Sequence, residues 1–311
     1  MPANYSIEDL KYWEDQIQEK VDYFGLNCFP QEYEICDHND MLGYMAYSGM
    51  PAHYPHWSYG KSFEKLKTMY DYGVSGLPYE MVINSNPCLA YLMRDNTLCL
   101  QVMTMAHVMG HNDFFANNFT FSHTHPELTL EKFKAQAVRV RNYIEDPSIG
   151  LERVENFLDS AHALMFNCNR NFAIKKRGEA DARAQLSREL SGRTDLSDEE
   201  INKRLNRTPI EPDEDILLFI RDNQPLLAEW QRDLLTIVHY SASYFVPQIE
   251  TKIINEGWAS FWHRTIMNAM EVPNDIMLEF FAHHNRVVAP HPGSLNPYYL
   301  GVAIWDNILF H

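Results

Sequence analysis

From Ile7 to Phe24, apolar residues recur at three- and four-residue steps (Leu10, Trp13, Ile17, Val21), the period of a helix that buries one face. Ser6 ahead of that run and Gly25 behind it fit an N-cap and a stop. A short second helix is predicted over 39–47. The Pro-, Gly- and aromatic-rich stretch "GMPAHYPHWSYGKSF" reads as a loop, followed by a helix from about Phe63 to Tyr72. At "MVINSNPCLAYLM" the pattern changes. Two short apolar runs, Met81 to Ile83 and Cys88 to Met93, flank the turn-forming Asn-Ser-Asn-Pro, so a hairpin or strand-loop-strand is expected.

Asn96 and Thr97 then cap a long helix, about 97–116, through "LCLQVMTMAHVMGHNDFFAN". It is apolar on nearly every face and should be buried. The same period predicts helices at 130–144, 151–167, 214–222, 226–244, 248–270 and 274–283. No internal repeat is visible. The expected fold is mainly α with a small β-sheet, an α+β domain spanning 1–311. Within it, 177–215 is polar, charged and free of aromatics, which predicts an exposed insertion, part helix and part mobile loop.

Composition narrows the function classes. A chain of 45% hydrophobic and 22% charged residues fits a soluble globular protein, and a formal charge of −16 argues against a nucleic-acid partner. No apolar run reaches the roughly 18 residues of a membrane span, and the start lacks a secretory pattern. The five cysteines (Cys28, Cys36, Cys88, Cys99, Cys168) form no CxxC pair, so a disulfide framework is not expected and a reduced, cytoplasmic setting is.

The candidate chemistry lies in the buried helix. His107 and His111 stand four apart, which leaves their side chains about 40° and 6 Å apart on a helix, able to converge on one cation. The glutamate that a zinc protease carries after its first histidine is here Val108. Taken alone, the pair reads as satisfied core polarity; a third, acidic ligand reverses that reading. Gly110 weakens the helix by about 1 kcal/mol relative to Ala, so a second backbone is expected to approach there.

"IINEGWASFWHRTIM" supplies the third ligand. It sets Glu256 at the start of an apolar helix, with Ser260 and His263 on the same face and the small Gly257 and Ala259 beside them. A solvated charge favoured by the helix dipole is the alternative for Glu256. Its neighbours Ile253, Ile254, Trp258 and Phe261 are apolar, and a buried carboxylate must be paired or bound to a cation. His107, His111 and Glu256 are therefore the predicted ligands of a divalent metal, with zinc expected. The order of edge strand, two-histidine helix and glutamate helix is zincin-like, and the edge strand would pair with an extended peptide or protein ligand.

Valine cannot accept a proton from a metal-activated water. Asp113, Glu80, His263, His283 and His284 are the available substitutes. Of these, His263 suits proton transfer near neutral pH, and it could equally close the site as a fourth ligand. Asp113 is the second catalytic candidate. Asn84, Asn86, His56 and His283 are the candidate substrate-binding side chains. His162, three residues after Asp159, fits either a di-iron-type motif or a core histidine bonded to its own aspartate. His123 and His125 are expected at the surface, and His53 and His56 either line a cleft or pack. Neither a nucleotide cradle nor a serine-hydrolase elbow is present.

The strings "GMPAHYPHWSYGKSFEKLKTMYDYGVSGLPYEMVINSNPCLAYLMRDNT", "AHVMGHNDFFANN", "DSAHALM", "NEGWASFWH", "MLEFFAHHNRVV" and "LNPYYLGVAIWDNI" closely resemble the SpoVR family, named for stage V sporulation protein R. The resemblance runs almost end to end. It implies the N-terminal, mainly helical part of a family whose chains usually run longer, as a short member or a piece. It implies a cytoplasmic bacterial protein, linked in spore formers to the peptidoglycan cortex, although the family also occurs in bacteria that do not sporulate. His56, His107, His111, His162, Glu256, His263 and His283 fall inside these strings. The function expected is metal binding, with metal-dependent hydrolysis of a peptide or amide bond in cell-envelope or cortex formation. A non-catalytic scaffold or regulator of a protein partner, and a di-metal oxidase using His162 and His263, remain open.

Overall fold

The structure is a computed structural model that describes residues 5–74, 76–169, 177–206, 214–290 and 292–311. Helix α1 (Ile7–Phe24) buries Leu10, Trp13, Ile17 and Val21. Ser6 and Asp9 cap it reciprocally, each side chain accepting from the other's backbone N–H, and Gly25 ends it at φ +74°. Strand β1 (Gln31–Cys36) and α2 (His38–Ala46) follow. Helix α3 (Trp57–Asp71) starts six residues before the expected Phe63, because His56 caps it through the N–H of Ser58.

Strands β2 (Glu80–Ile83) and β3 (Cys88–Met93) form the expected hairpin, with Met81 opposite Tyr91. β1 was not predicted. It pairs in parallel with β3, Gln31 opposite Cys88, so β3 is the central strand and β2 an edge of the sheet. Helix α4 (Leu98–Asn117) is capped by Thr97 alone, since the Asn96 side chain donates to the Tyr79 carbonyl instead. Every residue from Cys99 to Phe115 is buried, as an all-round apolar helix requires.

The remaining helices are α5 (Thr129–Glu145), α6 (Leu151–Leu164), α7 (Glu179–Ser191), α8 (Asp198–Leu205), α9 (Ile216–Asn223), α10 (Glu229–Glu250), α11 (Lys252–Ala269), α12 (Asn274–Val287) and α13 (Pro297–Phe310). The sequence pattern did not predict α13. Asn296 caps it and Pro297 occupies its first turn. The polar segment 177–215 contributes α7 and α8, and its 207–213 stretch lies outside the described residues.

The chain divides into two compact units, Met1–Glu155 with Pro247–His311, and Asn156–Val246. In the first, the inner face of α1 packs with Val102, Met105, Ala106 and Met109 of α4, Ile266 and Met267 of α11 and Phe280 of α12. In the second, Asp215 caps α9 through the Leu218 N–H and lies 3.1 Å from Nδ1 of His239. Among the described residues no helix is long and apolar enough to cross a membrane.

Candidate metal centre

Two backbone contacts set the site. A Cβ at Gly110 of α4 would fall 2.6 Å from the Ala259 Cα of α11, and one at Gly257 would fall 2.4 Å from the Gly301 backbone of α13. Only glycine allows either approach, so α11 lies against α4 on one side and α13 on the other. That placement carries Glu256 over the histidine face of α4. Its Oε2 is 3.5 Å from Nε2 of His111 and 3.7 Å from Nε2 of His107.

The three donor atoms lie within 4.8 Å of one another, and among the described residues they are the one His/Cys/Asp/Glu group that could hold a metal ion. Donors around a tetrahedral zinc, at bonds of about 2.0–2.2 Å, are separated by about 3.3–3.6 Å, so the two carboxylate–imidazole spacings need little closure. Nε2 of His107 is buried with no hydrogen-bond partner, and its lone pair is one that a cation would satisfy. The donor set fits a divalent metal.

Each histidine is oriented from behind by α11. Nδ1 of His111 meets Oδ1 of Asn255 at 2.8 Å, and Nδ1 of His107 meets Nδ1 of His263 at 2.9 Å. His263 in turn reaches Nδ1 of His284 on α12 at 2.7 Å through Nε2. When His107 keeps its Nε2 lone pair for a cation, its Nδ1–H donates to His263, which then donates to His284. One neutral tautomer is thereby selected at each ring.

The electrostatics follow from this burial. Burial alone would raise the Glu256 carboxyl, but the facing imidazoles of His107 and His111 outweigh it and hold it well below the carboxylate range. His111 is disfavoured as a cation by burial, yet Glu256 and Asn255 raise it above its ordinary value. Burial pushes His263 well below its ordinary value and His284 down to about 4, assisted by His107 and Arg264 respectively. A neutral chain of histidines thus backs an ion-paired front.

Glu80, the first residue of β2, brings Oε1 to 3.9 Å from Nε2 of His107, and burial raises its carboxyl. Tyr298 of α13 stands beside this front, and burial with the charges of Glu256 and Glu80 keeps its phenol protonated. A cavity of about 460 Å³ opens onto Glu80, His107 and Tyr298 but is not lined by His111 or Glu256, so it reaches the centre from one side.

The structure distributes the other predicted site residues as follows. His263 borders the cavity, but both its ring nitrogens are engaged by His107 and His284, which places it behind the ligand rather than at the open side. Asp113 is on the far face of α4, where it accepts from the Asn27 N–H and from Trp258 Nε1, each at 2.8 Å. Asn84 is buried and donates to Thr124, and the Asn86 N–H is bonded to the Pro126 carbonyl. His56 is the α3 cap, and His283 lies 3.6 Å from Glu279 on the same helix. Asn84, Asn86, His56 and His283 do not line the cavity. His162 belongs to the second unit.

Glu80 entered the sequence reading only as one of several bases, and Asn255 and Tyr298 did not enter it. Asn255 could have been found, because it precedes Glu256 on a helix facing His111.

A family model described as "SpoVR like protein" matches residues 4–310. The chain is 36% identical over 330 aligned positions to the Escherichia coli (strain K12) "Uncharacterized protein YcgB", covering 98% of this chain and 64% of that relative's length. No solved structure matches. A match across almost the whole chain places the protein in the SpoVR family.

Proposed function

We propose that this part of the protein is a zincin-like metal-dependent hydrolase of amide or peptide bonds, with one zinc ion held by His107, His111 and Glu256. The observation that carries the reading is the buried, unpartnered Nε2 of His107 facing Glu256. A zinc ion in such a site supplies a Lewis acid and activates water at neutral pH.

Glu80 takes the proton-handling role that Val108 cannot fill, because its carboxyl lines the cavity 3.9 Å from Nε2 of His107. Its approach from a strand rather than from the histidine helix is what separates this arrangement from the usual motif. Tyr298, held protonated, donates a hydrogen bond to the oxygen on which charge develops. His263, His284 and Asn255 orient the two imidazoles. The link of the family to envelope and cortex formation agrees with this chemistry, since peptidoglycan peptides are joined by amide bonds.

Elemental analysis of protein purified without a histidine tag tests the reading. One equivalent of zinc is expected, and it should be lost in His107→Ala and Glu256→Ala. A wild-type stoichiometry unchanged in both variants refutes it. The same donor set also serves non-haem iron, so a stoichiometric iron content would redirect the chemistry to oxidation.

A further inference from the structure

The cavity lining carries two unlike groups of side chains. One helical turn before His107, Thr104 is 1% exposed and its hydroxyl has no hydrogen-bond partner. A buried hydroxyl left unpaired in a functional cavity awaits a polar atom from a ligand. Glu80, which lines the cavity beside His107, makes this part acidic, so it disfavours a second negative charge. On a different helix the lining includes Arg286, near the C-terminus of α12. It is exposed, and among the described residues it has no ion-pair partner. Met103, Val287 and Leu295 give the lining an apolar part, alongside the polar Ser294 and Asn296.

We infer that the cavity takes a carboxylate-terminated amide: Arg286 grips the carboxylate, Thr104 holds a polar atom of the amide, and the apolar wall receives the side chain between them. This rests on the hydrolase reading for the direction in which the amide lies. A guanidinium matches a carboxylate with two parallel hydrogen bonds, which a neutral amide cannot reproduce. The volume, about 460 Å³, suits one amino-acid residue and its acyl group. Two sources share this chemistry, a free N-acyl amino acid and the C-terminal residue of a peptide. In hydrolysis the oxygen of water bonds to the amide carbon and the C–N bond breaks. The leaving amine receives the proton that Glu80 takes from the water, with no change of oxidation state.

Calorimetric titration tests the inference independently of turnover. The probes are N-acetylleucine against N-acetylleucinamide, and a hexapeptide ending in leucine against its C-terminally amidated form, each with zinc-loaded protein. The carboxylate form of at least one pair should bind about tenfold tighter or more, the preference expected of a charge-assisted pair. Tighter binding of acetylleucine identifies the free acid as the source, and tighter binding of the hexapeptide identifies the chain terminus.

Arg286→Gln, a change at an exposed position, should remove the preference while the zinc content stays at the wild-type value. Thr104→Val should weaken both members of a pair, and Thr104→Ser should restore them. Equal binding of acid and amide, a preference that survives Arg286→Gln, or no binding of either acid overturns the inference. Loss of the hydrolase reading looks different: zinc is absent from the wild type, whereas here zinc is present and only the discrimination fails.

Discussion

Gly110→Ala is the most informative single change, because it adds one methyl group where two helices touch through their backbones. In an unobstructed helix this substitution stabilises by about 1 kcal/mol. Here the new carbon would lie 2.6 Å from the Ala259 Cα, whereas ordinary contact begins at 3.4 Å. The deficit of 0.8 Å must come from moving backbone, since no flexible side chain can yield.

Overpacking of this kind costs about 1–3 kcal/mol, and with no soft neighbour the upper part of that range applies. After the propensity gain, a net loss of about 1–2 kcal/mol remains. That corresponds to a fall in Tm of about 2–8 °C for a unit of 150–250 residues. The same displacement would separate Glu256 from His107 and His111, now 3.7 and 3.5 Å apart. Metal sites tolerate errors of only about 0.2 Å per bond, so zinc affinity should fall at least about tenfold.

Differential scanning calorimetry and competition with a chromophoric chelator measure the two effects. Gly43→Ala in α2, where a Cβ would meet nothing within 4 Å, is the control and should be neutral or stabilising. A Gly110→Ala protein as stable as the control with unchanged zinc affinity would falsify the close-packing argument.

Three further outcomes are expected. Glu80→Gln should retain zinc but lower hydrolysis of the preferred carboxylate-terminated amide by about 10²–10⁴-fold, and full activity would remove Glu80 from the proton path. His263→Phe, which cuts the tie between His107 and His284, should weaken zinc binding about 10–100-fold; an unchanged constant in the chelator assay would make the histidine chain packing only. In the second unit, burial opposes the charge of Asp215, but His239 and the Leu218 and Asn169 N–H groups outweigh it and lower its carboxyl. Its stabilisation is therefore complete above the unfolded carboxyl value of about 3.9 and is lost as pH falls through the lower folded value. Urea denaturation of wild type and Asp215→Asn, which keeps a capping oxygen, should show a gap at pH 6 that closes in acid; a gap constant with pH contradicts the assignment.

What was legible in the sequence was local or strongly periodic. Leu10, Trp13, Ile17 and Val21 announce α1, and an apolar run interrupted only by histidines and small polar groups announces a buried α4. The three candidate donors were legible because spacing places two of them and apolar neighbours make the third anomalous. Strand β1 escaped notice because "QEYEIC" alternates charged with partly buried residues, and its strand character depends on the partner that β3 offers in space. Helix α13 opens on a proline and is apolar except at Asp306 and Asn307, so no periodic stripe marks it. Thr104, Tyr298 and Arg286 were invisible for the same reason: each gains its meaning from elements that fold beside it from elsewhere in the chain.

The glycine contacts on either side of α11 have a consequence for energetics. Direct backbone touch on both sides of α11 fixes how far the carboxylate stands from the imidazoles, so helix packing itself positions the donors. Little conformational entropy then remains to be lost at capture, and most of the binding energy can appear as affinity. A chelator should therefore strip the centre while leaving the helices folded, in contrast to domains that collapse without their ion.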